Sequence, residues 1–475
     1  MTALARLRTS ALARTARRVE ARDPERAAHL LRRAGDPVSR ALAAEVDLRR
    51  GVIPADLDHV RQVLADSADA AHASGATDQA LRLLTRLVAL SFHRAVQLDG
   101  PSSPLAEDPE QFLAPLRSSM AWRWLTAPRG AAPGPVPHAG PLRVCVVADG
   151  DLRFLAPLLP HLGPDVEVDV VDLSAWDGPR LPLTPAEQVR ARADTAVATS
   201  PWARELSKRI GRPDVIWVEW CQRAAVLVSL TQVSAPVVVR LHSFEAFTAF
   251  PHLLDPSRVA AVVTVSPAFG ELVRAAVPAL ADVVQVLPNA LEPGPFALAK
   301  EPGAEHTLGL VGWGAPAKDA CWAVDVLAEL RRADPRWRLR LVGAPPTAPG
   351  YAAAVQARLD DLGDAVEVVG PSDDVPGELR RIGALVSAST RESFHLAVGE
   401  AAASGARVAV RDWPTLSPYG GPHGVWPDDW VVTTPQEAAA LLLSDRPVSP
   451  APDLRAVTVA GRYRAVLAEV AGRPG

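Results

Sequence analysis

Short apolar runs alternate with helical patterns over residues 142–300. The runs have the length of buried strands and cover residues 143–149, 166–173, 214–220, 237–242, 261–265 and 283–287. Helical stretches, as at 187–195 and 269–277, separate most of them. Nearly continuous apolar strands that alternate with helices are typical of a parallel sheet covered on both faces. The pattern therefore predicts a doubly wound α/β domain in this part of the chain.

The same alternation begins again after residue 300. The second set of predicted strands covers residues 307–311, 338–342, 365–369, 384–389, 407–410 and 430–433. Helices are predicted at about 318–332 and, as a closing element that can cross back onto the first domain, at about 454–470. We therefore predict a second doubly wound domain over residues 301–475. Ligands of open α/β sheets bind at the carboxyl ends of the strands, so two such domains facing each other predict a site in the cleft between them.

Residues 1–125 follow a different pattern. Ala, Leu and Arg dominate, β-branched residues are few, and apolar positions recur at helical spacing, for example at 27, 30 and 31 or at 81, 84 and 87. This pattern predicts several antiparallel helices. Residues 126–141, which are rich in Pro and Gly, predict a linker, and few contacts are expected to cross it if it is a domain boundary. The predicted fold class is therefore two doubly wound, Rossmann-like domains preceded by an all-α region.

Composition and charge exclude several classes of protein. Of the 475 residues 48% are apolar and 22% charged, as in soluble globular proteins, and the net charge of −4 gives no sign of a nucleic-acid partner. The cysteines Cys145, Cys221 and Cys321 are far apart and fit neither a disulfide framework nor a CxxC metal site. The chain shows no signal-peptide pattern and no apolar run of about 20 residues. We therefore expect the protein in the cytoplasm or at the inner face of a membrane.

The first fifty residues carry an excess of positive charge. They hold twelve Arg against six Asp or Glu. This excess fits either a solvated helix face or a patch for an anionic membrane surface or a polyanionic acceptor.

The stretch from Ser389 to Asp412 combines several features of a nucleotide site. An apolar run at 384–388 predicts a strand, a polar turn follows, and residues 394–404 predict a helix closed by Gly405. Glu392 lies in the turn and Glu400 lies about two turns inside the helix. The N-terminus of a helix is a natural seat for phosphate, while the two carboxylates could reach a sugar and a ribose. This arrangement suits a nucleotide-sugar.

The spacing of Glu392 and Glu400 is also similar to that found in a known protein family. The E-x7-E pattern on a strand–turn–helix, with Ser389 completing S-x-x-E, resembles the retaining GT-B glycosyltransferases of the family-4, or group 1, type. Further markers follow in the order of that family, at residues 286–290 (V-L-P-N-A), 310–312 (L-V-G) with Lys318, 341–343 (L-V-G) and 368–370 (V-V-G). The resemblance covers roughly residues 141–470 and leaves out the N-terminal helices.

This resemblance implies a set of contacts to the donor. Glu400 would bind the ribose hydroxyls, and Glu392 would bind the transferred sugar and help to hold the charge that develops at its anomeric carbon. Lys318 would neutralise the diphosphate, and His242 would approach the sugar from the opposite domain. The remaining donor-side residues are Gly312, Trp313 and Gly314 after the strand and, through backbone N–H groups at the helix start, Phe394, His395 and Leu396.

The chain departs from the family pattern at one cation. Where the family usually has Arg after its glycine, this chain has Trp313 and Gly314. The resemblance therefore implies that Arg391, Arg411 or Arg240 replaces the missing phosphate-binding group. On the acceptor side, Glu219-Trp220-Cys221 is similar to the E-W-C of some enzymes that build bacterial surface polysaccharide or teichoic-acid-like polymers. The acceptor-side candidates are Asp149, Gly150, Glu219, Trp220, Arg240 and Glu245.

The function that the resemblance implies is retaining transfer of a sugar from a nucleotide-sugar. The acceptor would be a cell-surface polysaccharide, a teichoic-acid-like polymer, a lipid-linked glycan or another glycan, and neither a cofactor nor a metal ion would be needed. Two alternatives remain open: a non-catalytic GT-B binding or scaffold subunit, which the missing arginine favours, and a GT-B nucleotide-sugar epimerase. We also expect residues 1–125 to recruit the acceptor, a membrane or a protein partner, and to be dispensable for the chemistry.

Overall fold

The structure, a computed structural model, describes residues 11–16, 18–100, 102–130 and 140–473. The N-terminal region is helical, as predicted. Its helices are α1 (Pro24–Ala34), α2 (Pro37–Arg49), α3 (Leu57–Ala73), α4 (Thr77–Ser91), α5 (Arg94–Gln97), α6 (Pro104–Glu107), α7 (Pro109–Ser118) and α8 (Met120–Thr126). Residues 131–139 of the predicted linker lie outside the described residues.

The first α/β domain contains a six-stranded sheet in the order β2-β1-β3-β4-β5-β6, with every neighbouring pair parallel. Its strands are β1 (Leu142–Ala148), β2 (Val166–Asp172), β3 (Val215–Val218), β4 (Val237–Leu241), β5 (Val259–Thr264) and β6 (Val284–Val286). The intervening helices are α9 (Pro185–Ala193), α10 (Pro201–Ile210), α11 (Arg223–Leu230), α12 (Phe250–Leu253) and α13 (Pro267–Ala276). Every residue of β3 and β4 is buried, as a central strand covered on both faces requires.

The second α/β domain contains another parallel six-stranded sheet, in the order β12-β11-β10-β7-β8-β9. Its strands are β7 (Thr307–Val311), β8 (Arg338–Val342), β9 (Val366–Gly370), β10 (Ala384–Ser387), β11 (Arg407–Arg411) and β12 (Val431–Val432). Its helices are α14 (Ala320–Ala333), α15 (Pro349–Asp360), α16 (Val375–Leu379), α17 (Leu396–Ala403) and α18 (Pro435–Leu443). The predicted fold class, two Rossmann-like domains after an all-α region, is confirmed.

The strand order locates the ligand-binding edge of each sheet. The winding direction reverses between β1 and β3 in the first sheet and between β7 and β10 in the second. At such a switch point the loops after the two strands part and leave a crevice at the carboxyl ends. Residues 149–151 and 219–220 therefore border one crevice, and residues 312–318 and 389–395 border the other.

Two helices begin earlier than the sequence pattern predicts because each has a proline in its first turn. α9 begins at Pro185 after Thr184, whose hydroxyl accepts a hydrogen bond from Glu187 N in a capping box, and α13 begins at Pro267 after Ser266. Proline suits the first helical position because its missing N–H has no helical partner there.

The last helix, α19 (Ala456–Val470), packs on the first α/β domain. The Tyr463 ring stacks on Trp217 of β3 with centroids 5.0 Å apart, and Arg464 forms an ion pair with Asp165. The closing helix therefore crosses back onto the first domain, as the sequence pattern allowed.

The helical region shares its core with the first α/β domain. One continuous cluster of buried apolar side chains includes residues of α2 to α8 together with residues of β1, β3, β4 and the helices around them. Arg117 of α7 donates to Ala276 O of α13 at 3.1 Å, and Arg192 of α9 donates to Ala127 O, just after α8, at 2.8 Å. The expectation that few contacts cross from residues 1–125 into the α/β domains is therefore wrong. The predicted helices have an apolar face, and that face is covered by the neighbouring domain.

Several arginines of the first fifty residues are paired within the helical region. Arg32 forms an ion pair with Asp47, Arg49 with Glu20, and Arg50 with Glu25. These pairs favour the interpretation of a solvated helix face over that of a free cationic patch. Over the residues described, no helix is both long and apolar enough to cross a bilayer.

Candidate functional site

The turn between β10 and α17 forms the centre of the site. The helix begins at Leu396, two residues later than predicted, because His395 adopts a left-handed conformation with φ 60° at the N-cap. This conformation is uncommon outside glycine. His395 Nδ1 shares a hydrogen bond of 2.7 Å with Ser387 Oγ, which holds the imidazole against the end of β10. Burial and the charge of Lys318 lower the pKa of His395 to about 4, so the imidazole is neutral at pH 7.

Glu392 is held as a charged carboxylate on this turn. Its Oε1 accepts hydrogen bonds from Lys318 Nζ and, at 2.8 Å, from Ser389 Oγ. Burial by itself would raise the pKa of Glu392, but the charge of Lys318 and the hydrogen bonds from Lys318 and Ser389 outweigh it and lower the pKa to about 2. The side chain is therefore ionised across the physiological range.

Lys318 reaches Glu392 because the loops after β7 and β10 are joined. Thr390 N donates to Ala317 O at 2.7 Å. Gly312 lies beside the lysine, since a Cβ built there would be in ordinary contact with Lys318 Nζ at 3.8 Å, and its φ of 75° is the feature that favours glycine. The sequence thus brings Gly312, Lys318 and Glu392 together at the switch point of the second sheet, as predicted.

The two residues after Gly312 contribute backbone only. Trp313 is buried in the core of the second domain, and its Nε1 donates to Gly343 O at 3.0 Å. Gly314 admits no side chain, because a Cβ there would lie 2.6 Å from Ala344 O. Phe394 is likewise buried, and its carbonyl accepts from Trp426 Nε1 at 2.9 Å. Any donor contact from Trp313 or Phe394 must therefore be made by the main chain.

Glu400 differs from Glu392 in having no partner. Within the described residues its carboxylate makes no hydrogen bond or ion pair, and burial raises its pKa above the ordinary value of 4.5. A half-buried carboxylate without a donor is costly for the fold. It lies on α17, one turn beyond the helix start, where a polar ligand would satisfy it.

The three arginines expected to supply the missing cation are engaged elsewhere. Arg391 donates to the carbonyls of Gln97 and Leu98 at 2.7 and 2.6 Å. Arg411 holds Asp319, the N-cap of α14, at 2.7 Å. Arg240 is fully buried in the first domain. Their contacts disfavour the replacement that we predicted and leave Lys318 as the cation beside Glu392.

His242 belongs to a buried network at the end of β4. Its Nε2 lies 3.0 Å from Glu219 Oε1, which also accepts from Arg240 at 3.2 Å, and Trp217 Nε1 donates to Glu219 Oε2 at 3.2 Å. Burial alone would raise the pKa of Glu219, but the charge of Arg240 and the hydrogen bonds from His242 and Trp217 reverse that effect and lower it. Glu245 caps the same loop by accepting from His242 N at 3.1 Å. Glu219, Arg240 and Glu245 therefore hold His242 in place from within the fold.

An aromatic cluster covers His242 on the crevice side of the first sheet. The His242 ring lies 4.1 Å from the Trp220 ring and 4.6 Å from the Phe154 ring, measured between centroids. Phe244 lies 6.0 Å from Trp220 and is 38% exposed. Phe154 and Phe244 were missed in the sequence, although each follows a strand-end loop, which is where a ligand-facing aromatic would lie.

The turn after β1 is stabilised by its own contacts. Asp149 is paired with Arg223, and Gly150, at φ 84°, donates its N–H to Asp172 Oδ1 at 2.9 Å. Of the two acceptor-side candidates in this turn, Asp149 is therefore already neutralised.

A family model agrees with the geometry of the second domain. The model described as "Glycosyl transferases group 1" matches residues 305–442. The second α/β domain therefore holds a segment similar to the group 1 glycosyltransferases. The matched segment contains Gly312, Lys318, Glu392 and Glu400 and leaves out the first α/β domain and the N-terminal helices.

Solved structures similar to this chain differ widely from it in sequence. Anabaena Alr3699/HepE in complex with UDP is 15% identical, with a TM-score of 0.48, over 69% of this chain and 95% of that one. A glycosyltransferase from Rickettsia africae is 12% identical (TM-score 0.46; 70% and 93% covered), and the pneumococcal O-GlcNAc transferase GtfA in complex with UDP and GlcNAc is 13% identical (0.44; 57% and 60%). Such distant similarities carry no argument about donor or acceptor. Among curated proteins, no sequence matches.

Proposed function

We propose that the protein is a retaining glycosyltransferase that moves a sugar from a nucleotide-sugar to a glycan or lipid-linked acceptor. One observation carries the proposal: at the switch point of the second sheet, an ionised Glu392 is held by Lys318 beside a helix start, while Glu400 on that helix has no partner among the described residues. This is the charge pattern that a diphosphate linking a ribose to a sugar would fit.

The proposed roles follow from this pattern. Lys318 and the N–H groups of residues 394–396 take the negative charge of the diphosphate, and Glu400 accepts from the ribose hydroxyls. Glu392 lies on the sugar side, where its charge stabilises the positive charge that develops as the bond from the anomeric carbon to the β-phosphate breaks. The acceptor oxygen bonds to that carbon, and its proton passes to the departing phosphate. No cofactor takes part.

The first domain supplies the other wall of the proposed site. His242, which is buried behind this wall, supports it from within the domain, and the rings of Trp220, Phe154 and Phe244 form a platform for the acceptor. An aromatic face suits the apolar face of a sugar ring while leaving the hydroxyls to polar neighbours.

The experiment for this function is slow donor hydrolysis without an acceptor. UDP-, GDP-, ADP- and CDP-sugars are each incubated with the protein, and released sugar is followed by proton NMR. The proposal predicts release from at least one donor, with the first-formed sugar keeping the anomeric configuration of the donor. An inverted product would contradict the retaining mechanism, and binding without release would favour the second candidate below.

Replacing Glu400 by Gln is expected to weaken donor binding and to stabilise the free protein at neutral pH. Loss of a charge-assisted hydrogen bond to ribose costs about ten- to a hundredfold in affinity. The pKa of Glu400 is raised in the folded state, so its contribution to stability falls as pH rises above 4.5, and the variant gains most at pH 7. Calorimetry and thermal melts measure both effects. Unchanged donor affinity would remove Glu400 from the site.

We also propose that transfer does not depend on a metal ion. The diphosphate charge is met by Lys318 and the start of α17, and in the described part of the chain no group of three or more His, Cys, Asp or Glu side chains could hold a metal ion. Activity should survive treatment with EDTA followed by removal of the chelator. An EDTA-treated protein that is inactive and regains activity when magnesium or manganese is added would contradict the proposal.

A non-catalytic donor-binding subunit is the second candidate. The observation that favours it is the engagement of Arg391, Arg411 and Arg240 in other contacts, which leaves a single lysine beside Glu392. Such a subunit would bind a nucleotide-sugar without hydrolysing it.

A further inference from the structure

We propose that the N-terminal helical region is a working part of the donor site, because it holds the catalytic turn in place through Arg391. The inference rests on the proposed function, in which Glu392 acts on the sugar. Arg391 is then a positioning residue: it acts through Glu392, its neighbour in the chain, and not on the donor.

The contacts of Arg391 join three parts of the molecule. Its side chain leaves the β10–α17 turn, and its two terminal nitrogens donate to the carbonyls of Gln97 and Leu98 at the end of α5. The guanidinium lies over the ring of Phe247, 5.1 Å from its centroid, in the first α/β domain. The side chain is buried, so each of these contacts replaces water that the charge would otherwise keep.

The segment that receives Arg391 is itself held firmly. Gln97 donates from Nε2 to Ser91 O at 2.8 Å and accepts from Ser103 Oγ, and both groups are buried. Ser91 in turn accepts from Arg61 Nε at 3.0 Å. Two carbonyl groups held in fixed positions can orient the Arg391 guanidinium. Its N–H donors lie in one plane, so the side chain loses little conformational entropy for each hydrogen bond that it forms.

A second contact ties the same segment to the donor domain. Tyr419 donates its hydroxyl to Ala106 O of α6 at 2.8 Å. The helical region therefore contacts the donor domain at two points, the carbonyls of Gln97 and Leu98 and the carbonyl of Ala106. A segment used only to recruit an acceptor would not need to contact the turn that carries Glu392.

The expected consequence is a defect in turnover more than in nucleotide binding. Without Arg391 the turn at 389–395 loses its anchor on the helical region and keeps only its contacts within the donor domain, so Glu392 is held less precisely against the sugar. Glu400 lies on α17 and keeps its place, so the nucleotide still binds. A misplacement of about 1 Å in a catalytic group can cost about a hundredfold in rate.

The test uses the full chain, with substitutions on both sides of the contact. The variants are Arg391→Ala and Arg391→Lys on the turn and Gln97→Ala in the helical region. The matched control is Arg407→Ala, since Arg407 also donates to two carbonyls, Leu442 O at 2.8 Å and Ser444 O at 2.6 Å, at the opposite edge of the same sheet. Hydrogen exchange of peptides covering 389–398 is measured without ligand, and kcat and KM for donor hydrolysis are measured with the best donor of the panel.

Exchange in 389–398 should rise about tenfold or more in Arg391→Ala and Gln97→Ala and stay unchanged in Arg407→Ala. The value of kcat should fall at least about tenfold in both, with KM within about threefold, and Arg391→Lys should recover part of the loss. If Arg391→Ala does not fold, Gln97→Ala and Arg391→Lys carry the same test. The inference would be overturned if hydrogen exchange in 389–398 were unchanged in both Arg391→Ala and Gln97→Ala. It would also be overturned if exchange became faster while kcat stayed normal.

Failure of the proposed function would look different. A wild-type protein that neither binds nor hydrolyses any donor contradicts the glycosyltransferase, whereas the exchange measurement needs no ligand and still reports whether the helical region holds the turn.

Discussion

Replacing Glu392 by Gln should lower the rate of donor hydrolysis and transfer at least about a hundredfold while the protein stays folded. The amide keeps the shape of the side chain and removes its charge. That charge is fixed beside the diphosphate by Lys318 and Ser389, in a site where preorganised electrostatic groups are each worth about 100- to 1,000-fold in rate. The hydrolysis assay described above measures the loss.

Glu329→Gln is a matched control for this substitution. Glu329 lies on α14 of the same domain, is paired with Arg332, and has a side chain 17% exposed against 16% for Glu392. It should leave the rate unchanged. Equal rates for Glu392→Gln and the wild type would contradict the role given to Glu392.

The same carboxylate predicts a change in acid stability. The folded-state pKa of Glu392 is about 2, below its ordinary value of 4.5. Its ion pair therefore stabilises the fold above about pH 4.5, and this contribution is lost as the pH falls toward 2. The Glu392→Gln variant should lack this part of the pH dependence.

Removing residues 1–125 should prevent the chain from folding. The helices and the first α/β domain share one apolar core, so a chain that begins at Gly140 exposes side chains of α9 and α13 that α4, α7 and α8 now cover. Exposing five leucine-sized side chains costs about 7–15 kcal/mol, as much as the whole stability of a typical domain. Expression, solubility and a cooperative thermal melt measure the outcome.

A chain that lacks only residues 1–21 is the control for this truncation. It keeps α1 with its N-cap Asp23 and the helices α2 to α8, whose side chains share the apolar core with the first α/β domain, so it should fold and bind donor. A soluble chain from Gly140 that melts cooperatively and binds donor would show instead that the helical region is an independent module, as the linker at 126–141 suggested.

The fold could be predicted because its signals are local. Strands buried on both faces read as apolar runs, and the order of strands and helices admits few parallel topologies. The grouping of the donor-side candidates was predictable for the same reason: Ser389, Glu392 and Glu400 lie on one strand–turn–helix, and Gly312 and Lys318 follow another strand of the same sheet.

The contacts that the sequence did not predict are distant along the chain. Arg391 looks like a phosphate ligand by its place beside Glu392, but its partners lie 294 and 293 residues away. Helical periodicity shows that α4 has an apolar face and does not show which domain covers it. Trp313 follows a glycine at the site, yet its indole turns into the core, because the neighbouring Gly343 offers a carbonyl to its N–H.

The most direct test of the central claim is a thermal-shift panel of UDP-, GDP-, ADP- and CDP-sugars on the wild type, Lys318→Ala, Glu400→Gln and Lys208→Ala. Lys208 is an exposed lysine of α10 in the first domain and controls for loss of charge. The claim that the β10–α17 turn binds a nucleotide-sugar predicts that at least one donor raises the wild-type and Lys208→Ala melting temperatures. The shift should be much smaller in Lys318→Ala and Glu400→Gln. No shift with any donor, or equal shifts in all four proteins, would contradict it.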